Sequence, residues 1–153
     1  MNKGGELDLG FCKVQMVSAD HSSGCIHDGN LLVGGEPAGF VLTAHDFAIY
    51  HAGDTNVFGD MEIVDYLYKP THLLIPIGGH FTMGPREAAY CVAKLMRGAK
   101  VVISMHFATF PLRYGNVPDL EKHFEKFSAE FKREPVKIID PHNLRDKNYD
   151  LPW

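Results

Sequence analysis

The sequence predicts an α/β chain, a mixed sheet with helices packed on one face. Three observations carry this prediction. Short apolar runs of strand length come first, before any helical pattern. From Asp60 onward, helix-patterned and strand-patterned segments alternate, the order expected of a layered sheet with helices against it. Several of the strand runs end in a His or Asp within a few residues. In such sheets ligands gather at the carboxyl ends of the strands.

The elements follow in order. Residues 1–10 are polar and Gly-rich and read as a loose lead-in. Phe11 to Ala19 alternates in part and predicts a strand, closed by the polar loop Asp20-His21-Ser22-Ser23-Gly24. Residues 25–37 are turn-rich and fit a short hairpin. Gly39 to Ala44 and Phe47 to His51 read as two strands joined by His45-Asp46. Asp60 to Lys69 has helical spacing, with acids early and Lys late, and Pro70 stops it. His72 to Ile77 is a continuous apolar run and suits a strand covered on both faces. Pro85 to Gly98 predicts a helix with Pro in its first turn and Gly at its end. Lys100 to Met105 predicts a buried strand ending at His106. Asp119 to Lys132 is amphipathic, with Leu120, Phe124, Phe127 and Phe131 on one side, and Val136 to Ile139 is a last short strand. The whole is read as one domain, 1–153, with a polar tail over 141–153.

Length and composition narrow the function. A chain of 153 residues suits one domain. A net charge of −4 with no basic stripe speaks against nucleic acid as a partner. No apolar run reaches the roughly 18 residues of a membrane span, and the first six residues have no apolar core of a signal peptide. Cys12, Cys25 and Cys91 are odd in number and widely spaced, so free thiols and a cytoplasmic setting are expected. Cys91, inside a helix, is read as buried and inert.

The stretch Ile49-Tyr50-His51-Ala52-Gly53-Asp54-Thr55 organises the rest. A strand that hands a carboxylate to a loop fixes its geometry and exposes its charge. Gly and Asp are also ordinary turn residues, and for this stretch taken alone a plain turn is the stronger reading. The other strand endings add His21, His80 and His106. Imidazole and carboxylate are ligands for zinc, manganese or iron, and together they can leave a position open for water. His27, His45, His72, His123 and His142 have no motif around them and are read as surface or packed side chains. His142, near the end of the final strand, fits that reading least well.

The segments His21-Ser22-Ser23-Gly24, Tyr50-His51-Ala52-Gly53-Asp54-Thr55, Gly78-Gly79-His80-Phe81-Thr82-Met83-Gly84-Pro85 and Met105-His106-Phe107-Ala108-Thr109-Phe110-Pro111 carry a resemblance. With Gly35-Glu36-Pro37-Ala38-Gly39-Phe40 and Phe58-Gly59-Asp60-Met61, they resemble the metal-dependent hydrolase branch of the metallo-β-lactamase superfamily, close to its lactonase-like members. The likeness runs from about Gly5 to about Phe124. It implies an αββα sandwich with one or two metal ions, Zn or Mn, at the top edge of two sheets. By motif, His21, Asp54 and His106 are the implied metal ligands, with Asp54 bridging. Asp54 and His80 are the implied catalytic residues, His80 lining the site, and His51 is implied to orient a ligand. The implied reaction is attack of metal-activated water on an ester, lactone or phosphoester of a small molecule.

One departure qualifies this. The superfamily's HxHxDH motif supplies most of the ligands, and it occurs nowhere in the chain. The sequence therefore reads as the C-terminal portion of such a fold, an incomplete sandwich. Low metal occupancy is expected, and so is self-association through an uncovered sheet face. The alternative expectation is a catalytically inactive half-domain that binds a partner or a second copy.

Overall fold

The computed structural model describes residues 1–144. Nine strands and three helices are present among them. Seven strands form one sheet in the order β1-β2-β5-β6-β7-β8-β9. These are β1 (Glu6–Asp8), β2 (Lys13–Ser18), β5 (Ala38–Ala44), β6 (Phe47–His51), β7 (His72–Pro76), β8 (Val101–Met105) and β9 (Lys137–Ile139). Pairing is antiparallel from β1 to β6 and parallel from β6 to β9. The predicted mixed sheet is thus the one observed. β3 (Gly24–His27) and β4 (Asn30–Val33) form a separate hairpin, exposed along its whole length.

The parallel half follows from its connections. α1 (Met61–Tyr68) carries the chain from β6 to β7. It ends at Lys69, whose left-handed backbone donates its N–H to Asp65, and Pro70 follows. α2 (Pro85–Tyr90) begins the crossover from β7 to β8. α3 (Val117–Phe131) precedes β9 and starts at Asn116, whose side chain accepts the Asp119 N–H at 2.9 Å. That bond satisfies one orphan donor of the first turn.

Alternate residues of the sheet supply the core. Val17, Val41, Ala48, Tyr50, Leu73, Ile75 and Val102 point to the helical face and meet Met61, Val64, Ala88, Ala89, Leu120 and Phe124. Tyr90 of α2 stands edge-on to Phe127 and Phe131 of α3, with ring centroids 5.6 and 5.8 Å apart. On the other face the register lines up Met16, Phe40, His51, Leu74, Ile103 and Ile139 across six strands. The apolar members of that row are only half-buried and lie outside the hydrophobic cluster.

Three local expectations are corrected. Residues 1–10 are not a loose lead-in, because Glu6–Asp8 pairs with Lys13–Gln15 as β1. Its three residues are all exposed, so no apolar pattern announced it. β7 is not covered on both faces: Leu73 and Ile75 are buried, but His72 and Leu74 are half-exposed. The helix expected over 85–98 changes pitch at Cys91, and Cys91–Leu95 is π-helical, with the Met96 N–H bonded to the Cys91 carbonyl. The three cysteines are free, as expected. No helix among the described residues is long and apolar enough to cross a membrane. Of the tail, Pro141–Leu144 forms a short 3-10 turn, and 145–153 lie outside the described residues.

Candidate functional site

The sheet's strand directions assemble the site. β6, β7 and β8 are parallel, and β2 runs the same way because two antiparallel pairings separate it from β6. All four therefore finish at one edge. The loops that leave that edge carry His21, Asp54, His80 and His106. Only the order of pairing could bring these loops together, since the residues are far apart in sequence.

Asp54 and His106 meet there. Asp54 Oδ2 lies 3.0 Å from His106 Nε2, with the Asp54 side chain 44% exposed and the His106 side chain 17%. The backbone sets this geometry. Gly53 has φ of 69°, and a Cβ there would stand 2.7 Å from the Ala38 carbonyl oxygen. Gly78 lets the loop after β7 pass directly against the His106 carbonyl, in space a Cβ would fill. His106 itself adopts φ of 57°, and His80 and Ala108 are at 53° and 54°. Left-handed backbone at non-glycine residues costs about 1–2 kcal/mol each and tends to cluster where function holds it in place.

The pair offers an imidazole nitrogen and a carboxylate oxygen, a donor set that a metal ion accepts. Donors bound at about 2.0–2.2 Å to one tetrahedral ion stand roughly 3.3–3.6 Å apart. The Asp54–His106 spacing of 3.0 Å is that of a direct hydrogen bond and falls a little short of this range, so an ion between them would part the two groups by a few tenths of an ångström. His106 Nδ1 is buried without a partner among the described groups, whereas a ligand histidine usually anchors its second nitrogen. Two donors make only part of a site. No group of three or more His, Cys, Asp or Glu side chains placed to hold a metal ion occurs among the described residues. The structure thus brings Asp54 and His106 together and does not close His21 onto them. The His21 side chain is exposed.

Thr55 holds the loops in place. It is fully buried. Its Oγ1 accepts the Asp20 N–H at 2.9 Å and donates to the Asn56 carbonyl at 2.7 Å. Its own carbonyl accepts the Met83 N–H at 2.9 Å. The loops that bear His21, Asp54 and His80 are therefore joined at one residue. His51 Nδ1 accepts the Gly53 N–H at 3.1 Å, so its ring braces the peptide before Asp54.

The rim is aromatic. His80 stands edge-on to Phe81 at 4.5 Å, and Phe81 is 6.0 Å from Phe110. The Arg113 guanidinium lies over the Phe110 ring at 4.5 Å. His142 stands edge-on to Phe107, next to His106, at 4.9 Å. The sequence reading left out Thr55, Phe110 and Arg113 as site residues, and it set His142 aside. Thr55 and Phe110 stand inside the segments that carry the resemblance, whereas for Arg113 and His142 a place just after a strand or loop of the site is the available signal.

Similarity to known proteins agrees with this fold. Residues 1–107 match the beta-lactamase superfamily domain. A UPF0173 metal-dependent hydrolase of Koribacter versatilis is 46% identical over 126 residues, which cover 82% of this chain and 53% of that protein. A UPF0173 metal-dependent hydrolase of Solibacter usitatus is 44% identical over 91% of this chain and 60% of its own length. Igni18, a metallo hydrolase from the archaeon Ignicoccus hospitalis, superposes with a TM-score of 0.72 and 33% identity, over 91% of this chain and 55% of Igni18. The metallo-beta-lactamase fold protein YhfI from Bacillus subtilis shares the fold at 16% identity and a TM-score of 0.61. The chain spans little more than half the length of these curated relatives. With a match over the larger part of its residues, and with strand ends that gather His and Asp at one edge, the chain belongs to the metallo-β-lactamase superfamily.

Proposed function

We propose that the chain carries part of the active site of a metal-dependent hydrolase, with Asp54 and His106 as ligands to one ion. The carrying observation is the 3.0 Å approach of Asp54 Oδ2 to His106 Nε2 at the carboxyl edge of the sheet. Zn and Mn both suit a His and carboxylate pair. A bound ion of this kind lowers the pKa of its water and supplies hydroxide near neutral pH. The protein's own groups do the rest. Asp54 would hold the ion, with its second oxygen left for another where a complete fold takes two, and His51 keeps the Gly53 peptide in place behind it. His80, exposed on its loop, is placed to donate a hydrogen bond to a substrate oxygen as charge develops there. The substrate class is an ester, lactone or phosphoester of a small molecule. His21 becomes a third ligand if its exposed loop closes onto the pair.

Metal content of the purified chain is the test. The expected result is weak binding of at most one Zn or Mn per chain, lost in Asp54→Ala and in His106→Ala. Hydrolysis by a complete protein bearing this site is expected to vanish in Asp54→Ala while the fold persists. Two tightly held ions per chain, or full metal retention in both variants, would overturn the reading. A second reading is a catalytically inactive half-domain that binds a partner or itself. The half-buried apolar row on the second sheet face favours it. A metal-loaded chain that hydrolyses none of the three substrate classes would leave that reading standing.

A further inference from the structure

The loop between β8 and α3 carries a cation that the hydrolytic reading leaves unused. Arg113 pairs with no carboxylate within 4 Å among the described residues. Its guanidinium stacks over Phe110 at 4.5 Å. Its Nη1 donates to Thr109 Oγ1 at 3.0 Å, which fixes the plane of the group. Its Nε is buried with no acceptor, and its Nη2 bonds no described protein group. A buried donor left unpaired is costly, and an arginine's Nε–Nη2 edge is the fork that takes a planar oxyanion through two parallel bonds.

Arg113 also sits against the site. A Cβ on Gly78 would run into the His106 carbonyl and stand at contact distance, 3.5 Å, from Arg113 Cγ. The loop that bears it is closed by two bonds: the Ala108 N–H to the Arg113 carbonyl, and the Arg113 N–H to the Phe110 carbonyl, each 2.9 Å. The Gly115 N–H then ties this loop to the Gly78 carbonyl, in the loop that leads to His80. Between the two loops runs the stack His80–Phe81–Phe110–Arg113. Phe81 is 44% exposed and Phe110 41%, so both residues reach the surface. The result is an apolar aromatic wall that ends in a cation.

We propose that this wall, resting on the hydrolytic reading of the adjoining edge, is the substrate subsite, and that Arg113 anchors an oxyanion on a planar apolar body. The substrate class is thereby narrowed to small molecules bearing a carboxylate or phosphate next to a ring. The ring lies on Phe81 beside Phe110, one face of which the Arg113 guanidinium already covers, and the oxyanion takes the Nε–Nη2 edge after a small turn of the Arg113 side chain exposes Nε. Arg113 is a specificity residue here, and the ligands of the ion are separate from it.

Benzoate is the probe and benzamide, with the same ring but no charge, is the control. Each is titrated into the full chain and followed by amide chemical shifts. Benzoate is expected to move the amides of 79–82 and 108–115, and to bind at least about tenfold more tightly than benzamide, the worth of one charge-assisted pair. Inorganic phosphate is expected to compete with it. Arg113→Gln should erase the preference for benzoate, and Arg113→Lys should keep part of it, with unchanged spectral dispersion showing an intact fold in both. Equal binding of benzoate and benzamide, shifts elsewhere on the surface, or an undiminished preference in Arg113→Gln would overturn the proposal. The metal reading fails separately: Asp54→Asn is expected to lose the ion yet keep the benzoate preference.

Discussion

Thr55 shows how one side chain can hold a site it does not line. Its hydroxyl serves loops that are 35 residues apart in sequence, Asp20 on one side and its own turn on the other. Val has nearly the same shape and no acceptor, so Thr55→Val leaves the part-buried Asp20 N–H without its partner. The expected loss is about 1–3 kcal/mol in urea denaturation, with Thr55→Ser losing less. Equal stability of Thr55→Val and the parent would show that water replaces the hydroxyl. Nothing local in the sequence marks this role. A threonine after Gly-Asp looks like any turn residue, and the partner that matters is at the end of another strand. Arg113 escaped notice for the same reason, since it has no motif and its meaning comes from Phe110 and Gly78 folding against it. Asp54 and His106 were legible because each closes an apolar run, and a strand's end is visible in the sequence even when its neighbours are not.

Among the elements, the break in α2 has a thermodynamic signature. Cys91 opens the π-helical turn and is fully buried. Burial, and then the charge of Asp65, push its thiol up to about 12 from an ordinary 9.0. A thiol raised in the folded state adds stability that is complete below the unfolded pKa and is lost as pH climbs toward the folded one. Stability should therefore fall from about pH 9 upward. Burial also raises the Tyr50 phenol, from an ordinary 10.0, and adds a fall of the same sign at higher pH. Denaturant midpoints at pH 8, 9 and 10 check this: Cys91→Ala should flatten the fall between 9 and 10, whatever its own cavity costs. An unchanged slope would place the titrating group elsewhere. The helix existed in the sequence as a pattern of Ala, Leu, Met and Val, but periodicity cannot register one extra residue in a turn. β1 was illegible for a different reason, as three exposed residues leave no apolar trace. β5, β6, β8 and α3 were found to within a residue or two because each alternates or repeats over enough positions to show its period.

At the scale of the whole molecule, the two sheet faces are unequal. Helices cover one, while Met16, Phe40, Leu74, Ile103 and Ile139 lie half-exposed in a row across the other. The β3–β4 hairpin adds Ile26, Leu31 and Val33, each more than three-quarters exposed. Apolar surface left open to water draws proteins together. We expect the 153-residue chain to form dimers or larger species, seen as excess mass by light scattering at micromolar concentration. Leu74→Lys, at the centre of the row, should return it to monomer with little change in melting temperature. A monomeric parent chain would reject this expectation. The sheet's two halves also differ in how they can be assembled. β5 and β6 are joined by a two-residue turn, and such neighbours zip in about 1–10 μs. β7 and β8 must first travel through α1 and α2, and loop closure delays pairing of that kind. Amides of β5 and β6 should thus gain protection from hydrogen exchange first during refolding. The edge that holds Asp54 and His106 would mature last, when the latecomer strand β8 docks.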